Sequence, residues 1–255
     1  MESTSIKKYV YPQLPSTYDL YLIRIGGSGL ANCLFIAARG YILAERSNLE
    51  YINPTWGKIS LGPYIRREKD KRHYLGLFNS VGIRGIKKIV TLWFKRNQII
   101  KVEGLDNYFE DILGDYALVK KFINYSVRSC IKDQFDSIDF GNIIGVHVRL
   151  GDYVSSLRTN IDWYKSIIDQ INEYTNDKFK FLLFSDGIDS EVVDLITIPN
   201  VQRVFYGNAM ADIWALSKCK MIIGSDSTFS GWAAYLGQKP IVFRKCHFGL
   251  CLKKK

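Results

Sequence analysis

The sequence is poor in everything that builds a metal or disulfide scaffold. Its 255 residues include three His and five Cys: Cys33, Cys130, Cys219, Cys246 and Cys251. The cysteine number is odd, the spacing is irregular and no Cys-x-x-Cys occurs. That argues against a disulfide framework and a structural zinc site, and it suits reduced thiols in a cytoplasmic protein. No Asp-x-Asp pair occurs either, so a paired-carboxylate seat for a divalent ion is missing and no metal is expected. No apolar run reaches the roughly 18 residues that a membrane-spanning helix needs. Residues 1–15 are polar and lack the apolar core of a signal peptide.

Acidic residues are scarce in one region. The net charge is +10, and from Lys58 to Lys101 there are 12 Lys or Arg against 2 Asp or Glu. A patch of this kind suits an anionic lipid surface, a phosphorylated substrate or nucleic acid, or it is simply a solvated face. No nucleic-acid recognition motif accompanies it, so nucleic acid is not an expected partner. Apolar residues make up 47% of the chain and charged residues 24%, the balance of a globular protein with ample core. The 35 aromatic residues (16 Tyr, 14 Phe, 5 Trp) can fill that core or serve as sugar platforms.

The periodicity divides the chain. Residues 1–17 read as a lead-in. Tyr18 to Ile25 reads as a first strand, followed by Gly26-Gly27-Ser28-Gly29 and a helix over Leu30 to Ser47. A strand, a Gly-rich turn and a helix form an anion-binding arrangement, because free backbone N–H groups face the turn; alone it is a weak signal. Tyr51 to Tyr74 reads as a basic, loop-rich excursion. Ile83, Ile86, Ile89, Val90, Trp93 and Phe94 recur at helical spacing with basic residues around them. That pattern fits a membrane-surface helix or an ordinary core-facing helix with a basic outer face. From Asn142 on, strands and helices alternate. Strands are predicted at 143–148, 179–184, 201–206, 221–224 and 240–243, with helices at 162–174, 189–196, 211–218 and 229–236. Alternation of this kind predicts a parallel, doubly wound sheet. A boundary near 130–142 gives two domains, 1–135 and 136–255.

The chemistry-bearing stretch is Gly145-Val-His147-Val-Arg149-Leu150-Gly151-Asp152-Tyr153. A short apolar strand ends on a His and an Arg two residues apart, which share one face. Charges at the carboxyl end of a buried strand are costly unless they meet a ligand or a partner. Arg149 can therefore serve a ligand, or pair with a local carboxylate such as Asp152. Gly224-Ser225-Asp226-Ser227-Thr228-Phe229-Ser230-Gly231-Trp232 reads as a strand end, a hydroxyl-rich turn and a helix N-terminus. Ser227, Thr228 and the first helical N–H groups can hold phosphate oxygens, or the Ser and Thr can be plain helix caps. Asp212-Ile-Trp-Ala-Leu-Ser217-Lys-Cys219 and Phe181-Leu-Leu-Phe-Ser185-Asp186 complete the set.

Together these stretches resemble bacterial α-1,2-fucosyltransferases, glycosyltransferase family 11. His147 to Tyr153 is similar to the family's HxRRGDY motif, with Leu150 where a second Arg is usual. Gly26 to Phe35 resembles its GGLGNQMFQ start, and Gly224 to Leu236 its NSSFSWWAAWL stretch. The D-x-x-x-x-S-x-C and YVFSDD segments have counterparts at Asp212–Cys219 and Phe181–Gly187.

The resemblance implies an α/β fold of GT-B type, two Rossmann-like halves facing a cleft. It implies an inverting enzyme that moves L-fucose from GDP-fucose to a galactoside-type acceptor in surface polysaccharide synthesis, such as O-antigen or capsule. Arg149 would hold the diphosphate, His147 would position the donor, and Asp152 would orient Arg149 or the sugar. Asp212 would accept from the guanine. Ser225, Ser227, Thr228, Phe229, Gly27, Asn32 and Asp186 would complete the donor site, with Asp152 and Asp186 as candidate bases. No cofactor is expected. The acceptor would be an oligosaccharide, lipid-diphosphate-linked and met at the inner membrane face by a peripheral contact of the basic segment. Two alternatives stay open: a GT-B enzyme using another GDP-deoxyhexose or GDP-hexose, and a non-catalytic sugar-nucleotide or nucleic-acid binder.

Overall fold

The protein is described from a computed structural model over residues 6–66, 68–151 and 158–244. Two compact units divide it. The first is Met1–Leu61 with Arg72–Ile131, and the second is Gly62–Lys71 with Lys132–Lys255. A single cut at 135/136 thus gives way to a boundary at 131/132, and the short segment 62–71 crosses to the second unit. One reason is visible in the hydrogen bonding. Asp70 Oδ2 accepts from Ala209 N at 3.0 Å, which places a carboxylate at the start of a second-unit helix.

In chain order the first unit runs β1 (Tyr9–Pro12), β2 (Tyr18–Asp19), β3 (Arg24–Ile25), α1 (Leu30–Ser47), β4 (Glu50–Tyr51) and β5 (Lys58–Ile59). The helix α2 (Gly62–Ile65) of the second unit intervenes. The first unit resumes with α3 (Gly85–Phe94), β6 (Ile99–Val102), α4 (Tyr116–Ser126) and α5 (Ser129–Lys132), the last spanning the boundary. The lead-in expected over residues 1–17 proves to contain the central strand of this unit. All four residues of β1 are buried, and β1 pairs in parallel with β4 on one side and β6 on the other. The four-residue run Tyr-Val-Tyr-Pro is too short to show a period, so sequence pattern could not reveal it. The strand expected at 18–25 is instead two short strands, antiparallel to each other and joined through Tyr21 at φ 65°. With β5 they form a separate three-stranded sheet. The helical spacing read from Ile83 to Phe94 corresponds to α3, which ends at Phe94, and Ile99–Val102 beyond it is a strand.

The second unit continues with β7 (Ile143–Val148), α6 (Ile161–Thr175), β8 (Lys180–Ser185), α7 (Val193–Ile196), β9 (Val201–Arg203), α8 (Ala209–Lys218), β10 (Met221–Gly224), α9 (Thr228–Gly237) and β11 (Ile241–Phe243). Its sheet is parallel throughout, in the order β11-β10-β7-β8-β9. Counted within the unit this is 5-4-1-2-3, the mononucleotide-binding half of a doubly wound fold. Strands buried on both faces need near-continuous apolar runs, and Ile-Ile-Gly-Val and Phe-Leu-Leu-Phe supply them. Ile144, Val146, Val148, Phe181 and Leu183 form one core with Tyr164 and Ile168 of α6. Leu150, just past β7, is buried in the same core.

Candidate functional site

Strand order decides where a ligand can sit. Chain order reverses between β7 and β10, and the crevice beyond their carboxyl ends is the topological switch point. Both principal motifs emerge there. β7 ends at Val148 and delivers Arg149, while β10 ends at Gly224 and delivers Ser225 to Phe229.

A hydrogen-bond network ties the two strand ends together. Ser225 N donates to His147 O at 2.8 Å. Ser225 Oγ accepts from Arg149 N at 2.7 Å, lies 2.7 Å from the Tyr164 hydroxyl and 3.1 Å from His147 O. One hydroxyl offers one donor and two acceptor positions, so these contacts use its full capacity. Ser225, expected in the donor site, is a pin that sets the Arg149 backbone.

Arg149 is held from the other side by β8. Its Nη1 lies 2.7 Å from Asp186 Oδ2. Asp186 Oδ1 accepts from Leu150 N at 2.8 Å and Gly151 N at 3.1 Å. A Cβ at position 151 would stand 2.4 Å from Asp186 Oδ2, so only glycine lets the carboxylate come this close. Asp186 thus helps to orient Arg149, while Asp152 was expected to orient Arg149 or the sugar. Asp152 itself lies outside the described residues. Asp186 holds the strand end through Oδ1 and approaches Arg149 through Oδ2. Leu150 turns away from Arg149 into the core.

His147 is buried. Its Nδ1 is 2.6 Å from Ser230 Oγ, and its ring stacks on Phe229 with centroids 4.5 Å apart. Burial, with Arg149 nearby, drives the imidazole well below its ordinary pKa in spite of Asp186. At neutral pH it is uncharged, so cationic charge at this strand end rests on Arg149. Ser227 caps α9, its side chain accepting from Ser230 N. The N-terminus of α9, with Thr228 and Phe229 in its first turn, therefore lies next to the β7 end, and its dipole favours an anion there.

Asp212 lies in the first turn of α8, behind the Asn208 cap. Its Oδ1 accepts from Tyr206 N at 2.8 Å. Burial first, and then the charge of Asp70, push its carboxyl up to about 7 against the opposing Tyr206 hydrogen bond. A carboxyl poised this way gains most from a ligand that donates to it.

Gly27 and Asn32 belong to the first unit. Gly27 has φ +89°, and a Cβ there would stand 1.8 Å from Pro15 O. The loop is clamped from below, because Lys58 Nζ donates to Gly27 O at 2.7 Å and Ser28 O at 3.0 Å. Asn32 is half-buried in the first turn of α1. The residues missed by sequence reasoning are Ser230, Tyr164 and Lys58. Ser230 carried a signal, standing three residues after a Ser that caps a helix. Tyr164 and Lys58 reach their partners only through the tertiary fold. Among the described residues no cluster of His, Cys, Asp or Glu forms a metal-binding group.

The second unit is thus a mononucleotide-binding α/β half with a cation and a helix N-terminus at its switch point. The likeness of the whole chain to solved structures shows the fold. The fucosyltransferase NodZ from Bradyrhizobium superposes with a TM-score of 0.56 at 16% identity, over 94% of this chain and 97% of that one. The NodZ alpha-1,6-fucosyltransferase soaked with GDP-fucose gives 0.52 at 16% identity, over 90% and 92%. At such identity the likeness shows the fold, which is of GT-B type. Residues 105–243, more than half of the chain, match the model for glycosyl transferase family 11, and the chain belongs to that family. An alpha-1,2-colitosyltransferase from Escherichia coli is 30% identical over 126 residues. That match spans 45% of this chain and 43% of the relative, less than half of either.

Proposed function

We propose that this protein is an inverting glycosyltransferase that moves L-fucose from GDP-fucose to a galactoside-type acceptor in surface polysaccharide synthesis. The observation that carries the reading is Arg149, fixed by Asp186 and Ser225 at the switch point beside the α9 N-terminus. In the reaction the bond between the sugar's anomeric carbon and the β-phosphate oxygen breaks. The acceptor hydroxyl oxygen forms the new bond from the opposite face and gives up its proton. Negative charge gathers on GDP as the bond breaks. A preorganised guanidinium and helix dipole then stabilise the transition state more than the ground state. His147, neutral and stacked on Phe229, positions the donor. Asp212 accepts from the guanine edge. Charge on the diphosphate is met by these groups without a metal, so EDTA should leave activity intact. Loss of activity restored by Mg²⁺ or Mn²⁺ would overturn that part.

A second donor reading is favoured by the Escherichia coli relative, whose name says that it transfers colitosyl groups. GDP-linked deoxyhexoses other than fucose therefore belong in the same assay. The test is release of GDP from a panel of GDP-sugars, with and without galactoside acceptors. Acceptor-dependent release from GDP-fucose supports the first reading, and release from another GDP-deoxyhexose alone supports the second. Tight GDP-sugar binding with no release under any acceptor would show a non-catalytic binder.

A further inference from the structure

Helix α3 packs Leu92 into the core, yet most of its apolar residues lie on the opposite face. It buries Lys88, Thr91 and Leu92 and turns its apolar row to solvent: Ile86 is 80% exposed, Val90 45%, Trp93 55% and Phe94 79%. These positions follow i, i+4, i+7 and i+8, one continuous helical face. The inward lysine explains the mounting. Lys88 Nζ donates to Thr55 Oγ1 at 2.8 Å and sits 5.2 Å from the centre of the Tyr11 ring, so the polar contact of this helix is made inside the fold. Outside, Lys87 is exposed next to the apolar row, with Glu50 Oε2 4.0 Å from its Nζ, and Arg84 and Arg96 are exposed at the two ends of the helix. They belong to the segment with 12 basic residues against 2 acidic.

We infer that α3 docks the protein on an anionic lipid bilayer, with Ile86, Val90, Trp93 and Phe94 in the headgroup–acyl boundary and Arg84, Lys87 and Arg96 at the lipid phosphates. An apolar row with an aromatic pair and flanking cations is the pattern of a helix lying in the membrane interface. Charge complementarity selects the partner. A second copy of this chain, paired about a two-fold axis, would bring the same cations face to face, whereas an anionic lipid surface attracts each of them. The inference does not depend on which sugar is transferred.

The test is flotation of the full chain with phosphatidylcholine vesicles, with and without phosphatidylglycerol, at low and high salt. Binding to the anionic vesicles should be at least about tenfold tighter and weaken with salt. Arg84→Ala with Lys87→Ala should weaken it by about thirtyfold. Ile86→Ser with Trp93→Ser and Phe94→Ser should abolish it, while the far-ultraviolet circular dichroism and transfer to a soluble acceptor stay as in the wild type. Failure of the wild-type chain to bind anionic vesicles overturns the inference, and so does equal binding to both vesicle types. It is also overturned if the wild-type chain self-associates instead and the triple variant is monomeric. Because vesicle binding is read without turnover, its failure is separate from failure of the proposed transfer reaction.

Discussion

The two units solve the problem of buried charge in opposite ways. In the second, charge is gathered at the carboxyl ends of a parallel sheet, and Arg149 meets a carboxylate, Asp186, at 2.7 Å. In the first, the most deeply buried cations, Arg24, Lys58 and Lys88, meet carbonyl oxygens, a hydroxyl and aromatic faces. Arg24, fully buried, donates to Thr55 O and Pro15 O and lies 5.9 Å from the Tyr74 ring. Lys58 donates to two loop carbonyls, and Lys88 to a threonine hydroxyl. Carbonyl oxygens and aromatic faces satisfy a cation's hydrogen bonds without neutralising it. The first unit thus fixes loop shape with cations, and the second holds a cation at the switch point of its sheet.

This contrast makes predictions, taken here from the largest effect down. Arg149→Lys should lower kcat by about 30- to several-thousand-fold, since losing one partner of a desolvated charge pair costs roughly 2–5 kcal/mol. Lys lacks the planar fork that meets Asp186 and a diphosphate together. The paired control is Leu150→Ala, which should cost about 2–5 kcal/mol in denaturant unfolding through its core cavity yet spare kcat in the folded fraction. If Arg149→Lys keeps more than about a third of kcat, under roughly 0.7 kcal/mol has been lost and Arg149 is not the diphosphate fork.

Gly27→Ala tests the clamp in the first unit. The left-handed φ and the approach to Pro15 O leave no space for a methyl group. The backbone strain alone costs on the order of 1–3 kcal/mol, so the urea midpoint should fall clearly. A wild-type midpoint would mean that the loop relaxes freely.

Asp212 should make GDP binding depend on pH. Burial raises its carboxyl to about 7, and a guanine that donates to the carboxylate favours the charged form, so binding releases a proton. Affinity should fall as pH drops below about 7, by up to tenfold per unit. The measurement is calorimetric titration in buffers of different ionisation enthalpy, where Asp212→Asn should lose both the proton release and the slope. A flat wild-type profile from pH 5 to 8 would remove Asp212 from the guanine site.

Lys88 supplies the smallest effect. Burial lowers its ammonium from 10.5 to about 8. Because the unfolded chain then holds more protons than the folded one between those values, stability should rise with pH from about 8 to about 10.5. At pH 7 the charged form is buried at a cost, so Lys88→Met should be neutral or stabilising by on the order of 1–2 kcal/mol. That variant should also lose the rise. A marked loss of stability at pH 7 would show that the hydrogen bond to Thr55 outweighs desolvation.

Some of this was legible in the residues themselves. The second unit's strands are apolar runs long enough to show, and β7 and β10 fall at 143–148 and 221–224 as predicted. The helix over Leu30–Ser47 also falls where its period placed it. In each case local pattern and tertiary environment agree, because a strand buried on both faces must be apolar throughout. His147, Arg149 and the Ser225–Phe229 turn were visible as polar groups closing such runs.

Tertiary structure decided the rest. β1 is four residues long, and its place at the centre of a sheet follows from partners about 40 and 90 positions away. The face that α3 presents could not be read from its period, because the period shows a stripe but not its direction. A lysine bound to Thr55 and Tyr11 turned the apolar side outward. One partner of Arg149 was equally hidden: Asp186 is distant in sequence and meets it because β8 lies beside β7 in the sheet. Sequence determines which groups end a strand. Only the strand order determines which of them meet.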